Sequence, residues 1–123
     1  MNEIHDFGTP RNLFEKLCRD NEKLDIEISG DNVFNFVSTA FHLQHWIKNS
    51  PLISSEVMKR ILRRISKDGY IKHCQNIARA KEHFKVEVDD TGNSKMTIGD
   101  EDIDINDFRN EIVSLYDNFF QVK

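Results

Sequence analysis

His42, Trp46, Arg79 and His83 are the side chains of this chain best suited to chemistry or recognition. Histidine titrates near neutrality and can accept, donate or pass on a proton. Arginine presents a fixed fork of donors to a carboxylate or phosphate, and tryptophan is a frequent interface anchor. His42 and Trp46 are four residues apart, as are Arg79 and His83, the spacing at which side chains on one helix touch. Such pairs could bind a partner. Alternatively, Arg79 as the cation and His83 as general acid or base could act on a phosphodiester. Asn76, one turn before Arg79, extends the second set.

Each residue also has a plainer reading. His42 can be a solvated or partner-covered histidine, and Trp46 can serve a second packing surface instead of anchoring a ligand. Arg79 and His83 can bind without catalysing. Other enzyme templates fail on sequence. The five glycines are scattered, so no phosphate loop forms, and no CxxC, HxxxH or HExxH spacing occurs. No cofactor or metal is therefore expected. The run Asp100-Glu101-Asp102-Ile103-Asp104 lacks the glycine and terminal glutamate of a calcium loop. It reads as a solvated loop feeding a helix cap.

Two amphipathic helices must position the candidate residues. Over 33–47, Val33, Phe36, Val37, Ala40, Leu43 and Ile47 share one side at 100° per residue, with Gln44 inside it. Asn35, Thr39, His42 and Trp46 lie opposite. Over 70–84, Tyr70, Ile71, Cys74, Ile77, Ala78 and Phe84 face inward, and Lys72, Asn76, Arg79 and His83 lie opposite. A common core explains the apolar sides and leaves the histidine-bearing sides over.

The remaining elements follow from local signals. Thr9 caps a first helix with Pro10 at its first position, ending near Leu24. Ile26-Glu27-Ile28 alternates like a short extended piece, and Asp31 can cap the second helix. Asn49-Ser50-Pro51 ends that helix. Ser54 or Ser55 starts a third over 56–67, broken by Asp68-Gly69. Segments 85–88 and 94–98 alternate around Asp89-Asp90-Thr91-Gly92-Asn93 as a β-hairpin. Asp104 caps a last helix running to about Phe120, with Ile103 and Phe108 as a hydrophobic staple. The expected fold is a mainly α single domain, 1–123, a four- to five-helix bundle with a small hairpin before the C-terminal helix. Its core is drawn from Phe36, Phe41, Ile61, Ile77, Phe84, Phe108 and Phe119.

A chain of 123 residues with nine phenylalanines can bury one core. No apolar run is long enough for a membrane span, and the start MNEIHDFGTP does not look like a secretion signal. Cys18 and Cys74 sit on apolar faces and read as free thiols, which fits a reducing cytoplasm. The net charge of −4 hides an asymmetry: residues 59–85 carry nine bases against two acids, and 86–123 carry ten acids against three bases. Lys59, Arg60, Arg63, Arg64 and Lys67 could meet a phosphate backbone or an acidic partner. They could equally be neutralised by the chain's own acidic tail.

His42, Leu43 and Trp46, followed by Cys74, Ala78, His83 and Phe84, resemble the H-L-x-x-W and C-x-x-x-A-x-x-x-K-H-F helices of short, poorly characterised bacterial and phage proteins. The resemblance covers roughly residues 30–120. His45 stands where those proteins commonly have aspartate, and Glu82 where they have lysine. In helix order they look like distant relatives of the HEPN superfamily of helical domains, which includes ribonucleases. The HEPN motif separates arginine and histidine by four to six residues, whereas three separate Arg79 from His83. The resemblance implies a HEPN-like fold and an accessory role in host–phage conflict. Two functions stand as expectations. One is a non-enzymatic protein binding a macromolecular partner, or a second copy, through His42, Trp46, Asn76, Arg79 and His83. The other is an RNA-binding protein or ribonuclease using Lys59 to Lys67 with Arg79 and His83.

Overall fold

The computed structural model describes residues 7–121. It contains α1 (Pro10–Ile26), α2 (Gly30–Lys48), a 3-10 turn (Pro51–Ile53), α3 (Glu56–Lys67) and α4 (Gly69–Ala78). β1 (Phe84–Val88), β2 (Ser94–Ile98), β3 (Glu101–Asp104) and α5 (Ile105–Gln121) follow. The architecture is mainly helical, with a small antiparallel sheet before the last helix.

Each helix starts where a side chain can satisfy its free amides. Thr9 accepts from the Asn12 amide while Asn12 returns a bond to the Thr9 backbone, a reciprocal capping box. Ser55 caps α3, and Asp68 lies between α3 and α4, accepting from the Tyr70 and Ile71 amides at 2.9 and 3.3 Å. Asp104 caps α5 through the Asp107 amide at 2.9 Å, with Ile103 and Phe108 both buried beneath it. Two early boundaries differ from the sequence expectation. Ile26 belongs to α1, and extended backbone begins only at Glu27, while Ser29, not Asp31, caps α2. Leu24 fills the core at the end of α1, and that burial carries the helix past the apparent strand signal.

α2 runs through the centre, packing on α1 and α4. Phe36, Val37, Ala40, Leu43 and Ile47 of α2 are fully buried. Tyr116 of α5 is buried against the same helix, and its hydroxyl donates to the Ala40 carbonyl at 2.7 Å. Phe36, Ile77, Phe108 and Phe119 belong to the core as expected, while Phe41, Ile61 and Phe84 are only partly covered at its margin. Gln44 finds its partner in Ser66, at 2.8 Å.

The sheet corrects a second expectation. Its three strands lie in the order β1-β2-β3, both pairs antiparallel. The acidic run is therefore not a loop: Glu101 to Asp104 form β3, with Ile103 opposite Met96 and both buried. One inward isoleucine per pleat suffices to hold a strand whose other side chains face water. Asp102 is tied to Thr97 and Lys95 at 2.8 and 3.4 Å. These partners hold its carboxyl below the usual carboxylate range, the Thr97 hydrogen bond contributing most.

α4 stops at Ala78, six residues before the expected end at Phe84. The Ala80 amide donates to the Ile77 carbonyl and the Lys81 amide to the Asn76 carbonyl, at 3.1 and 2.7 Å. This pair of bonds closes a helix with a left-handed residue just past the cap, and Ala80 has φ +60°. An L-alanine held there costs about 1–2 kcal/mol. The turn redirects the chain into β1.

Candidate functional site

Phe41 is the hub of the histidine-bearing side of α2. Its ring centroid lies 5.1 Å from that of His42 and 4.7 Å from that of His45. The Arg79 guanidinium carbon sits 5.5 Å from the same ring, from the far end of α4. An arginine over an aromatic face gains roughly 0.5–1 kcal/mol at an exposed site and keeps its outer donors for a ligand. α2 and α4 thus join at this face through Arg79 and Phe41.

Beside this stack lies an open cleft of about 790 Å³, walled by Thr9 and Pro10 at the start of α1, Phe41, His42, His45 and Trp46 on α2, and residues 49–51. Trp46 keeps 36% of its surface in water, which places it outside the core. Phe7 and Leu52, next in sequence to the cleft residues Gly8 and Pro51, are exposed at 43% and 40%. Aromatic, aliphatic and imidazole groups therefore share one concave patch.

The two expected sets meet only in part. His42, Trp46 and Arg79 are exposed, and Phe41 lies between His42 and Arg79. Asn76 is half-buried, and its carbonyl closes the turn after α4. Its side chain also helps hold Glu82. His83 is exposed just before β1, off the helix, and does not line the cleft. The expectation that Arg79 and His83 share a helix face is overturned, because the left-handed turn at Ala80 lies between them. Thr39 is likewise not on the open side. It is 5% exposed and donates to Asp20 at 2.6 Å, while Lys16 reaches both at 2.7 and 3.0 Å. That network locks α1 to α2. Searches of protein-family models, curated proteins and solved structures find no match to this chain.

Sequence reading passed over Phe41 and His45 as site residues, and His73 has partners that no spacing in the sequence announces. His73 Nδ1 and Nε2 each lie 2.9 Å from a carboxylate, Glu82 and Glu101 respectively. Through these two contacts His73 of α4 ties the turn carrying Arg79 and His83 to β3. The hydrogen bond from His73 is the main reason the Glu82 carboxyl sits below its ordinary range, against the opposing effect of burial.

A group with a depressed folded value stabilises above its unfolded value and loses that contribution as pH falls through the folded one. His73→Gln should thus cost about 1 kcal/mol near neutrality, with the deficit shrinking as pH falls and Glu82 protonates. Urea unfolding of both proteins from neutral pH into acid checks this. A deficit that stays constant in acid would mean that the contact is not ionic.

The two thiols are free, and burial pushes Cys74 far above the ordinary cysteine range, so it is inert. Among the described residues no three His, Cys, Asp or Glu side chains converge as metal ligands, and no helix is long and apolar enough to cross a membrane.

Proposed function

We propose that this chain is a non-enzymatic interaction protein whose cleft docks a protein partner, with Trp46 as anchor and His42, His45 and Arg79 as its polar contacts. The observation that carries this reading is the exposed Trp46 in a concave patch with Phe41 and two histidines. Large aromatic side chains beside a few polar groups are what interface centres are built from. Ribonuclease chemistry at Arg79 and His83 draws less support, because Arg79 is stacked on Phe41 and the chain turns before His83. The resemblance to short bacterial and phage proteins suggests that the partner belongs to a host–phage conflict inside the cell. A second copy of this chain is the simplest alternative occupant.

Trp46→Ala tests the reading. The variant should keep its helical circular dichroism and its unfolding midpoint within a few degrees. It should lose partner capture in a tagged pull-down, or lose dimerisation in sedimentation. Retained capture by a folded variant would remove Trp46 from the interface, and an unfolded variant would place it in the core.

A further inference from the structure

The exposed side of α3 carries Arg60, Arg63, Arg64 and Lys67, which share one groove of about 500 Å³ with Asp68. Arg63 also lines the neighbouring groove between α2 and α3, together with Lys48 and Lys59. Six cations from two helices therefore form one continuous surface. Among the described residues, Arg60, Arg63, Arg64, Lys67 and Lys48 form no ion pair, and Lys59 has only Glu56 of its own helix at 3.7 Å.

The chain's acidic segment does not neutralise them. Glu101 holds His73, Asp102 holds Lys95 and Thr97, Asp104 caps α5 and Asp89 closes the hairpin turn. Asp68, the one acid in the groove, is engaged by the Tyr70 and Ile71 amides. The cations are also held in place, since Leu62 and Ile65 on the opposite side of α3 are buried.

We infer that this α2–α3 surface is a phosphate-backbone site for a nucleic acid, separate from the cleft. Positions 60, 63, 64 and 67 form one helical stripe roughly 10 Å long, enough to follow two or three successive phosphates. Guanidinium forks match phosphate oxygens bidentately. No aromatic or aliphatic side chain lines the Arg60–Lys67 groove, so it has neither an anchor for a protein interface nor a stacking platform for bases. Val57 is the single exposed large apolar side chain on α3, too little to insert into a bilayer. Charge alone remains, and binding is to backbone without sequence preference.

Fluorescence anisotropy with a labelled duplex DNA and a labelled single-stranded RNA, at about 50 and 200 mM salt, tests this. Engagement of two or three phosphates predicts roughly a ten- to fortyfold loss of affinity between those concentrations. Arg60→Glu combined with Arg64→Glu should leave the circular dichroism unchanged and weaken binding at least about tenfold, lowering the salt slope by about two. Arg60→Lys with Arg64→Lys should retain most binding, and Trp46→Ala should bind as the parent does, which separates this site from the docking cleft. No binding at the lower salt, salt-independent binding, or an unaffected charge-reversal variant each overturns the inference. So does binding only to phosphatidylserine vesicles and to neither oligonucleotide.

Discussion

Phe36→Ala should lower stability by about 3–5 kcal/mol, a large share of the about 5–15 kcal/mol that holds a domain together. Phe36 is fully buried on the central helix and meets Phe108 of α5 edge-on, their centroids 6.2 Å apart. Truncation leaves a cavity between two helices that are held apart by other packed side chains. Phe34, two residues earlier on α2, is 47% exposed, and its change to alanine should fall within about 0.5 kcal/mol. Denaturant unfolding followed by circular dichroism compares the two. Similar costs would mean that α2 is rotated from the orientation that aims Phe41, His42 and Trp46 at the cleft.

The second large effect concerns Lys16, and its direction is the informative part. Asp20 is only 3% exposed, whereas the Lys16 side chain is 35% exposed. Lys16→Met leaves a buried carboxylate with Thr39 alone to satisfy it, which should cost about 3 kcal/mol. Asp20→Ala should cost less, about 1–2 kcal/mol. Lys16 can then turn to water, and Thr39 still has the Asn35 carbonyl at 2.9 Å. Denaturant unfolding of the two single variants compares them, and equal costs would show that the Lys16 contact does not offset the burial of Asp20.

Much of this fold was legible because local chemistry and tertiary packing agree. The Thr9-Pro10 start, the boundaries of α3, the break at Asp68 and the cap at Asp104 all lie where side chains satisfy helix ends. The end of α4 was not legible because its stop signal is a backbone conformation usually marked by glycine, and this chain has Ala80 there. Without that mark, the apolar spacing of Cys74, Ala78 and Phe84 continues a helix on paper that the molecule abandons. The partnership of Lys16, Asp20 and Thr39 left a trace that could have been followed. Asp20 falls among Leu13, Leu17 and Leu24 on the buried side of α1, with a lysine four residues before it. For the cleft, sequence supplied His42 and Trp46. The joining role of Phe41 depends on where Arg79 arrives from another helix, and no spacing within α2 encodes that.

The sheet has two open borders, β1 and β3, and unpaired strand borders invite identical chains to add on and grow into fibres. β3 is four residues long and turns Glu101, Asp102 and Asp104 towards solvent. Two such borders approaching each other would bring like charges together. The run that most resembles a cation ligand in the sequence thus sets like charges along that border, where they oppose pairing of β3 with β3 of another copy.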